Sequence, residues 1–240
     1  MKPCLQLALA DLKNICRDPM LVLALLGSIL LAIVFRYVPP MLSEWLELTL
    51  GFDLTDYYDL ILIIILQLVP LMVGMTSGFM MLDERDEQLI QYFAATPLQK
   101  SGYLVVRLGI PFFLTILLCL FVLYFTRLAS ISAVQLWNLL LLLAFLTPVF
   151  ALFLAAFAAN KVEGLALAKG AGVMIIAPLA VFFLPWQWQV LVSLFPTFWS
   201  AKIMFGGDHL FHIMGYSTMG IFVHGAFLWV FYKQFQRRVD

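Results

Sequence analysis

Apolar runs about 20 residues long, the length an α-helix needs to cross the hydrocarbon of a bilayer, recur along this chain between short polar stretches. They fall at residues 20–38, 60–82, 104–124, 136–159, 165–184 and 211–232. Six such runs predict six transmembrane helices, and an even number puts both termini on one side. Ahead of the first run, Leu5, Ala8, Leu9, Leu12, Ile15 and Cys16 share one helical face, while Gln6, Lys13 and Arg17 lie opposite. Residues 1–18 therefore predict an amphipathic helix lying in the membrane interface, ended where Asp18-Pro19 turns the chain into the bilayer. Residues 185–207 hold an apolar stretch at 190–195 that is too short to span and is closed by Pro196. They predict a short external hairpin, re-entrant or interfacial, before the last span. The fold class is an all-α membrane protein, one domain over residues 1–240.

Composition agrees with that reading. Hydrophobic residues make up 64% of the 240 and charged residues 12%, against about 25% charged in soluble domains. Basic residues set the orientation. With cytoplasmic termini, Lys2, Lys13, Arg17, Arg85, Lys100, Arg107, Lys161, Lys169, Lys233, Arg237 and Arg238 lie inside, leaving only Arg36, Arg127 and Lys202 outside. The chain is thus expected in the cell membrane with both ends in the cytoplasm. Glu44, Glu47, Asp53, Asp56, Asp59 and Asp208 would then face outward, so a net charge of zero conceals an acidic outside and a basic inside. Membrane lipid is an expected partner and nucleic acid is not. Cys4, Cys16 and Cys119 fall inside or within the membrane and suggest no disulfide framework.

The most informative polar insert is residues 83–100, DERDEQLIQYFAATPLQK. Its carboxylates stand where the first turn of a short helix would favour negative charge, and Thr96-Pro97 stops that helix. Leu89, Ile90 and Phe93 recur at helical spacing on one side. Such a face wants a partner, with Phe93 as its anchor and Glu84 either pairing with a partner's cation or capping the helix. The run Glu84-Arg85-Asp86-Glu87, then Ile90, Phe93-Ala94, Thr96-Pro97 and Lys100, resembles the first cytoplasmic loop of the type-2 ABC transporter permeases, E-R-E-x-G-T-L-E-x-L-L-x-T-P. The register holds without gaps from Glu84 to Pro97, with Gln88-Leu89 where that family usually has Gly-Thr. The leading amphipathic helix, six spans and external hairpin extend the resemblance over the whole chain.

That resemblance implies a coupling helix contacting a separate ATPase subunit, with Glu84, Arg85, Glu87, Ile90, Phe93, Thr96 and Pro97 as its residues. Asn160 to Lys169 resembles a second cytoplasmic loop of a subgroup of these permeases, some of them drug exporters. Lys161 and Glu163 join the coupling set on that basis, or else mark the inner membrane surface. No G-x-x-x-x-G-K-[ST] occurs in the chain, so ATP and Mg are expected on the partner ATPase and no cofactor on this chain. A second permease copy or a related permease is the other expected partner.

Polar residues inside the spans are few. Gln67, near mid-depth, either packs or lines a path. Trp186, Trp188 and Trp199 either stack on an amphipathic solute or anchor in the interface. Asp208, His209 and His212 share a helix face but lack the further ligands a zinc site needs, so no metal is expected. Arg107 is expected to snorkel to the inner surface. An ATPase-independent secondary carrier or channel is the alternative reading, and the scarcity of buried charge counts against it because ion coupling calls for charged midplane residues. A path walled by Phe, Leu, Met and Trp suits an amphipathic or hydrophobic cargo, such as a drug, lipid or peptide.

Overall fold

The computed structural model describes residues 19–94, 99–207 and 209–239. The expected interfacial helix at 1–18, together with Thr96, Pro97 and Asp208, lies outside them. Among the described residues every element is helical: α1 (Pro19–Leu50), a 3-10 turn (Thr55–Tyr57), α2 (Tyr58–Asp86), α3 (Leu89–Ala94), α4 (Gln99–Thr126), α5 (Ala133–Phe157), α6 (Lys161–Ala171), a second 3-10 turn (Gly172–Ile175), α7 (Ile176–Phe183), α8 (Trp186–Val192), α9 (Pro196–Phe205) and α10 (Leu210–Val239). Six helical segments are long and apolar enough to cross a membrane, the fifth being the continuous run from α6 through α7. Helices satisfy their backbone donors and acceptors internally, as a spanning segment in lipid must. The protein is a multi-pass membrane protein.

The layout is two central helices inside a ring. α2 and α5 are largely buried, while α1, α4, α10 and the fifth span are largely exposed along their apolar lengths. Helix α5 is apolar on every side, with Leu139, Leu140, Leu143, Ala144, Leu152 and Ala156 buried around its circumference, as a helix enclosed by others should be. Its contact with α2 depends on two glycines one turn apart. A Cβ at Gly74 would lie 2.5 Å from the Thr147 carbonyl oxygen and 2.8 Å from Phe150 Cβ, and one at Gly78 would lie 2.8 Å from Leu154 Cβ. Small residues at this spacing let two backbones approach closely where lipid offers no hydrophobic drive to associate.

Three prolines inside the spans are matched by side chains from neighbouring helices. A proline has no N–H for the carbonyl four residues earlier, and in a dry interior that carbonyl needs another donor. Pro70 in α2 frees the Leu66 carbonyl, which faces the Cys119 thiol of α4 at 3.7 Å. Pro111 in α4 frees the Arg107 carbonyl, which accepts from Ser77 Oγ of α2 at 3.0 Å. Pro178 in α7 frees the Met174 carbonyl, which accepts from Thr197 Oγ1 of α9 at 2.6 Å. Each kink is therefore also an interhelical tie.

Two boundaries differ from the sequence expectation. The first span does not end near residue 38: α1 runs on to Leu50 through Pro39 and Pro40. Those prolines leave the Phe35 and Arg36 carbonyls without helical donors, but the turns above and below carry the helix past them. The fifth span tightens into a 3-10 turn at Gly172–Ile175, where Gly170, Gly172 and Pro178 weaken the α pattern. Residues 185–207, where a hairpin is expected, form two short helices, α8 and α9, ahead of the last span. Gln67 Nε2 of α2 donates to the Thr197 carbonyl at 2.8 Å and to Ser200 Oγ at 2.9 Å. Gln135 Nε2 of α5 donates to the Ile203 carbonyl at 2.9 Å, where the last turn of α9 has no helical donor. These contacts and buried Phe198, Ala201 and Ile203 fasten α9 into the bundle.

Candidate functional site

The charged stretch does not begin a new helix. α2 continues through Asp83, Glu84 and Arg85 to Asp86, so these charges occupy its last turns rather than the first turn of the helix that follows. Glu87 closes α2, with its N–H donating to the Asp83 carbonyl at 2.9 Å, and Gln88, at φ 59°, reverses the chain into the six-residue α3. Carboxylates at a helix C-terminus face the negative end of the dipole. Here the surrounding elements neutralise them.

Each charge reaches a different neighbour. Asp83 pairs with Lys161 Nζ at the start of α6, at 2.8 Å. Glu84 is buried and accepts from Tyr103 Oη at 2.6 Å and from Arg107 Nε at 2.8 Å, both on α4. The Arg107 Nη2 pairs with the second carboxylate oxygen, so the contact is bidentate. Arg85 crosses to the end of α5 and donates to the carbonyls of Ala155, Ala158 and Ala159 at 3.2, 3.0 and 2.9 Å. A guanidinium at a helix C-terminus satisfies orphan acceptors and complements the dipole. Asp86 and Glu87 remain exposed.

Helix α3 is held against the bundle by its apolar face. Ile90 is buried and the Phe93 ring stacks on Tyr103, with centroids 5.8 Å apart. The expected partner-facing anchor, Phe93, is thus half-buried against its own chain, because the apolar side of so short a helix packs on α4 and α2. The face left outward carries Gln91 and Tyr92, the latter 68% exposed. Arg107 likewise does not snorkel to the surface; it is buried in the pair with Glu84.

The second polar segment starts α6 by local capping. Asn160 Oδ1 accepts from the Glu163 N–H at 3.0 Å, and Glu163 Oε2 accepts from the Ala159 N–H at 2.7 Å, close to a capping box. Lys161 and Glu163 are thereby brought beside Asp83 and Arg85. The four residues considered for a solute path are not gathered: Gln67 is sealed between α2 and α9, Trp186 and Trp188 are exposed on α8, and Trp199 donates from Nε1 to the Ser193 carbonyl at 2.9 Å. Among the described residues no cluster of three or more His, Cys, Asp or Glu is placed to hold a metal. The His209 and His212 rings lie 5.8 Å apart.

At the opposite end, Thr55 donates to Asp53 through its hydroxyl and its N–H, at 2.6 and 2.8 Å, which holds that carboxyl below the usual carboxylate range. Lys202 on α9 sits over the rings of Phe198 and Tyr216, at 5.7 and 5.9 Å, and burial lowers its ammonium below the ordinary lysine value.

Sequence reasoning missed the Glu84–Arg107–Tyr103 group. One signal was available: Tyr103 and Arg107 stand four residues apart on one face of α4, with the acidic run at the same end of the bundle.

The family model described as fluoroquinolones export permease protein Rv2686c-like matches residues 11–232 of the chain. The chain belongs to this family. Two relatives from Mycobacterium tuberculosis bear the family's description: fluoroquinolones export permease protein MT2760, from strain CDC 1551 / Oshkosh, and fluoroquinolones export permease protein Rv2686c, from strain H37Rv. Each is 26% identical over 231 residues, covering 95% of this chain and 92% of the relative. No solved structure matches the chain. Membership in a family of export permeases accords with the six apolar spans and with the resemblance carried by the charged stretch.

Proposed function

We propose that this chain is the membrane subunit of an ATP-driven exporter that moves amphipathic, drug-sized molecules, fluoroquinolones among them, with hydrolysis on a separate ATPase. The substrate class rests on the names of the two relatives. The coupling rests on one observation: α3 is tied to the rest of the bundle while presenting an exposed polar face, with Tyr92 projecting from it. Family resemblance supports an ATPase docked against this helix and a cytoplasmic position for this end and both termini. Asp83, Glu84 and Arg85 then serve as the linkage that carries displacement of α3 into α4, α5 and α6. A second permease copy, or a related one, would complete the path by covering exposed apolar helices of the ring.

Co-purification from the native membrane separates this reading from an ATPase-independent carrier. The expected result is an ATPase recovered in proportion to the permease. Its consistent absence, with drug export intact, would overturn the proposal. Within the complex, Tyr92→Ala removes an exposed aromatic from the outward face and is expected to weaken association by about 2 kcal/mol, the scale of an interface hot spot. The permease alone should keep its thermal stability. Ile90→Ala should do the reverse, destabilising the permease by about 2–5 kcal/mol as a buried aliphatic lost from the core.

A further inference from the structure

A cavity of about 460 Å³ opens on the outer side of the bundle between α4 and α10, with Pro148 and Leu152 of α5 as its floor. Its volume falls within the range of small-molecule sites. No charged residue lines it: Leu104 and Leu108 form one wall, and Leu228 and Trp229 the other. Both walls belong to ring helices whose apolar lengths are mostly exposed, so the cavity faces the lipid. Along α4 it runs from Ser101 to Leu108, about 10 Å of helix, and its polar end lies at the charged end of the bundle. There the lining becomes amphipathic, with the Ser101 hydroxyl and with Tyr232, whose Oη accepts from Gln236 Nε2 at 2.8 Å.

Cations stand at this mouth. Lys233 Nζ lies 3.8 Å over the Trp229 ring, a cation–π contact that holds the ammonium beside the cavity. Arg237, one turn further along α10, is exposed, and Lys100 precedes Ser101 on α4. An apolar slot parallel to the spans, an aromatic rim and a basic collar match one kind of molecule in the surroundings: a phospholipid with an acyl chain in the slot and an anionic headgroup at the collar. We propose that this cavity is a binding site for an anionic phospholipid of the leaflet at the charged end. Bound there, the lipid would contact α4, α5 and α10 next to the Glu84–Arg107 pair. The proposal does not depend on which solute is exported.

The test uses the full-length protein in nanodiscs of equimolar phosphatidylglycerol and phosphatidylcholine, with a photoreactive group midway along an acyl chain of one or the other lipid. Cross-linked peptides are mapped by mass spectrometry. Phosphatidylglycerol is expected to label residues 104–108 and 228–232 at least about fivefold more than phosphatidylcholine, the factor contributed by one interfacial cation. Lys233→Gln should reduce that preference by about fivefold without changing elution on gel filtration. Leu108→Trp, which fills the slot, should abolish labelling there while leaving labelling around Phe113 and Leu117 unchanged. Equal labelling by the two lipids would overturn the proposal. So would labelling spread evenly along α4 and α10, or cross-links showing a second copy of the chain seated in the groove.

Discussion

Breaking the Glu84–Arg107 pair tests whether the charged end is held from within. Both side chains are close to 10% exposed, and Glu84 also accepts from Tyr103, so removing either partner strands a charge where water cannot replace it. Loss of one member of a buried pair costs about 3–5 kcal/mol, whereas replacing both with uncharged groups of similar size is often neutral or stabilising. Glu84→Gln and Arg107→Met are therefore each expected to cost about 3–5 kcal/mol, and the double variant to recover most of the loss. The Asp83–Lys161 pair is an internal comparison. Its side chains are 37% and 49% exposed, and an exposed pair contributes about 0.2–1 kcal/mol. Reversible unfolding in mixed detergent micelles, run as two double-mutant cycles, measures both coupling energies. If Arg107 instead snorkels to water, the Arg107→Met cost falls below about 1 kcal/mol and the two cycles give similar couplings. That outcome would refute the buried-pair argument.

Three further predictions address packing, topology and the proline ties. Gly74→Ala drives a Cβ into the α5 backbone and is expected to reduce the yield of folded protein sharply, while Gly109→Ala, which meets nothing within 4 Å, leaves it unchanged; equal yields on gel filtration would count against the α2–α5 seam. Cysteines introduced at Asp53 should react with an impermeant thiol reagent in intact cells, and cysteines at Gln91 and Gln236 only after permeabilisation; labelling at Gln236 in intact cells would reverse the proposed orientation. Thr197→Val removes the donor to the Met174 carbonyl and should cost about 1 kcal/mol. In a Pro178→Ala background, where a backbone N–H returns, that cost should shrink, and an unchanged cost would separate the hydroxyl from the proline.

The spans were legible because an apolar run of bilayer length has few other uses, and the non-spanning segment before the last one because Pro196 closes a run too short to cross. The end of α1 was not, since Pro39-Pro40 reads as a break in any local scheme and only the structure shows the helix carried through it. The amphipathic pattern of Leu89, Ile90 and Phe93 was read correctly as helical, but a pattern names a face and not what covers it. Its cover turned out to be Tyr103, from the helix that starts at Gln99. Glu84 and Arg107 each look like an ordinary interfacial charge in one dimension. Their pairing becomes visible only when α2 and α4 are set side by side. Gln67, Gln135 and Thr197 were illegible for a similar reason: each is a lone polar residue whose acceptor is a carbonyl on another helix.

The braces at the charged end bear on how a push on α3 would travel in the proposed exporter. With Glu84 bound to α4, Arg85 to the end of α5 and Asp83 to α6, the end of α2 cannot swing alone. A displacement there must tilt α2 together with its neighbours. Gln67 lies 17 residues from Glu84 along α2, about 25 Å at the helical rise. A tilt of roughly 5° about Glu84 therefore moves Gln67 by roughly 2 Å, enough to break its 2.8 Å bond to the Thr197 carbonyl. Pro70, between the two ends, sets the one place where the lever can bend, because its missing N–H removes a helical bond. The donor facing that gap is the Cys119 thiol, the weakest of the three donors that meet proline-freed carbonyls. Bending at Pro70 therefore costs less than bending beside Ser77 or Thr197, so α2 has its softest point between the charged end and α9.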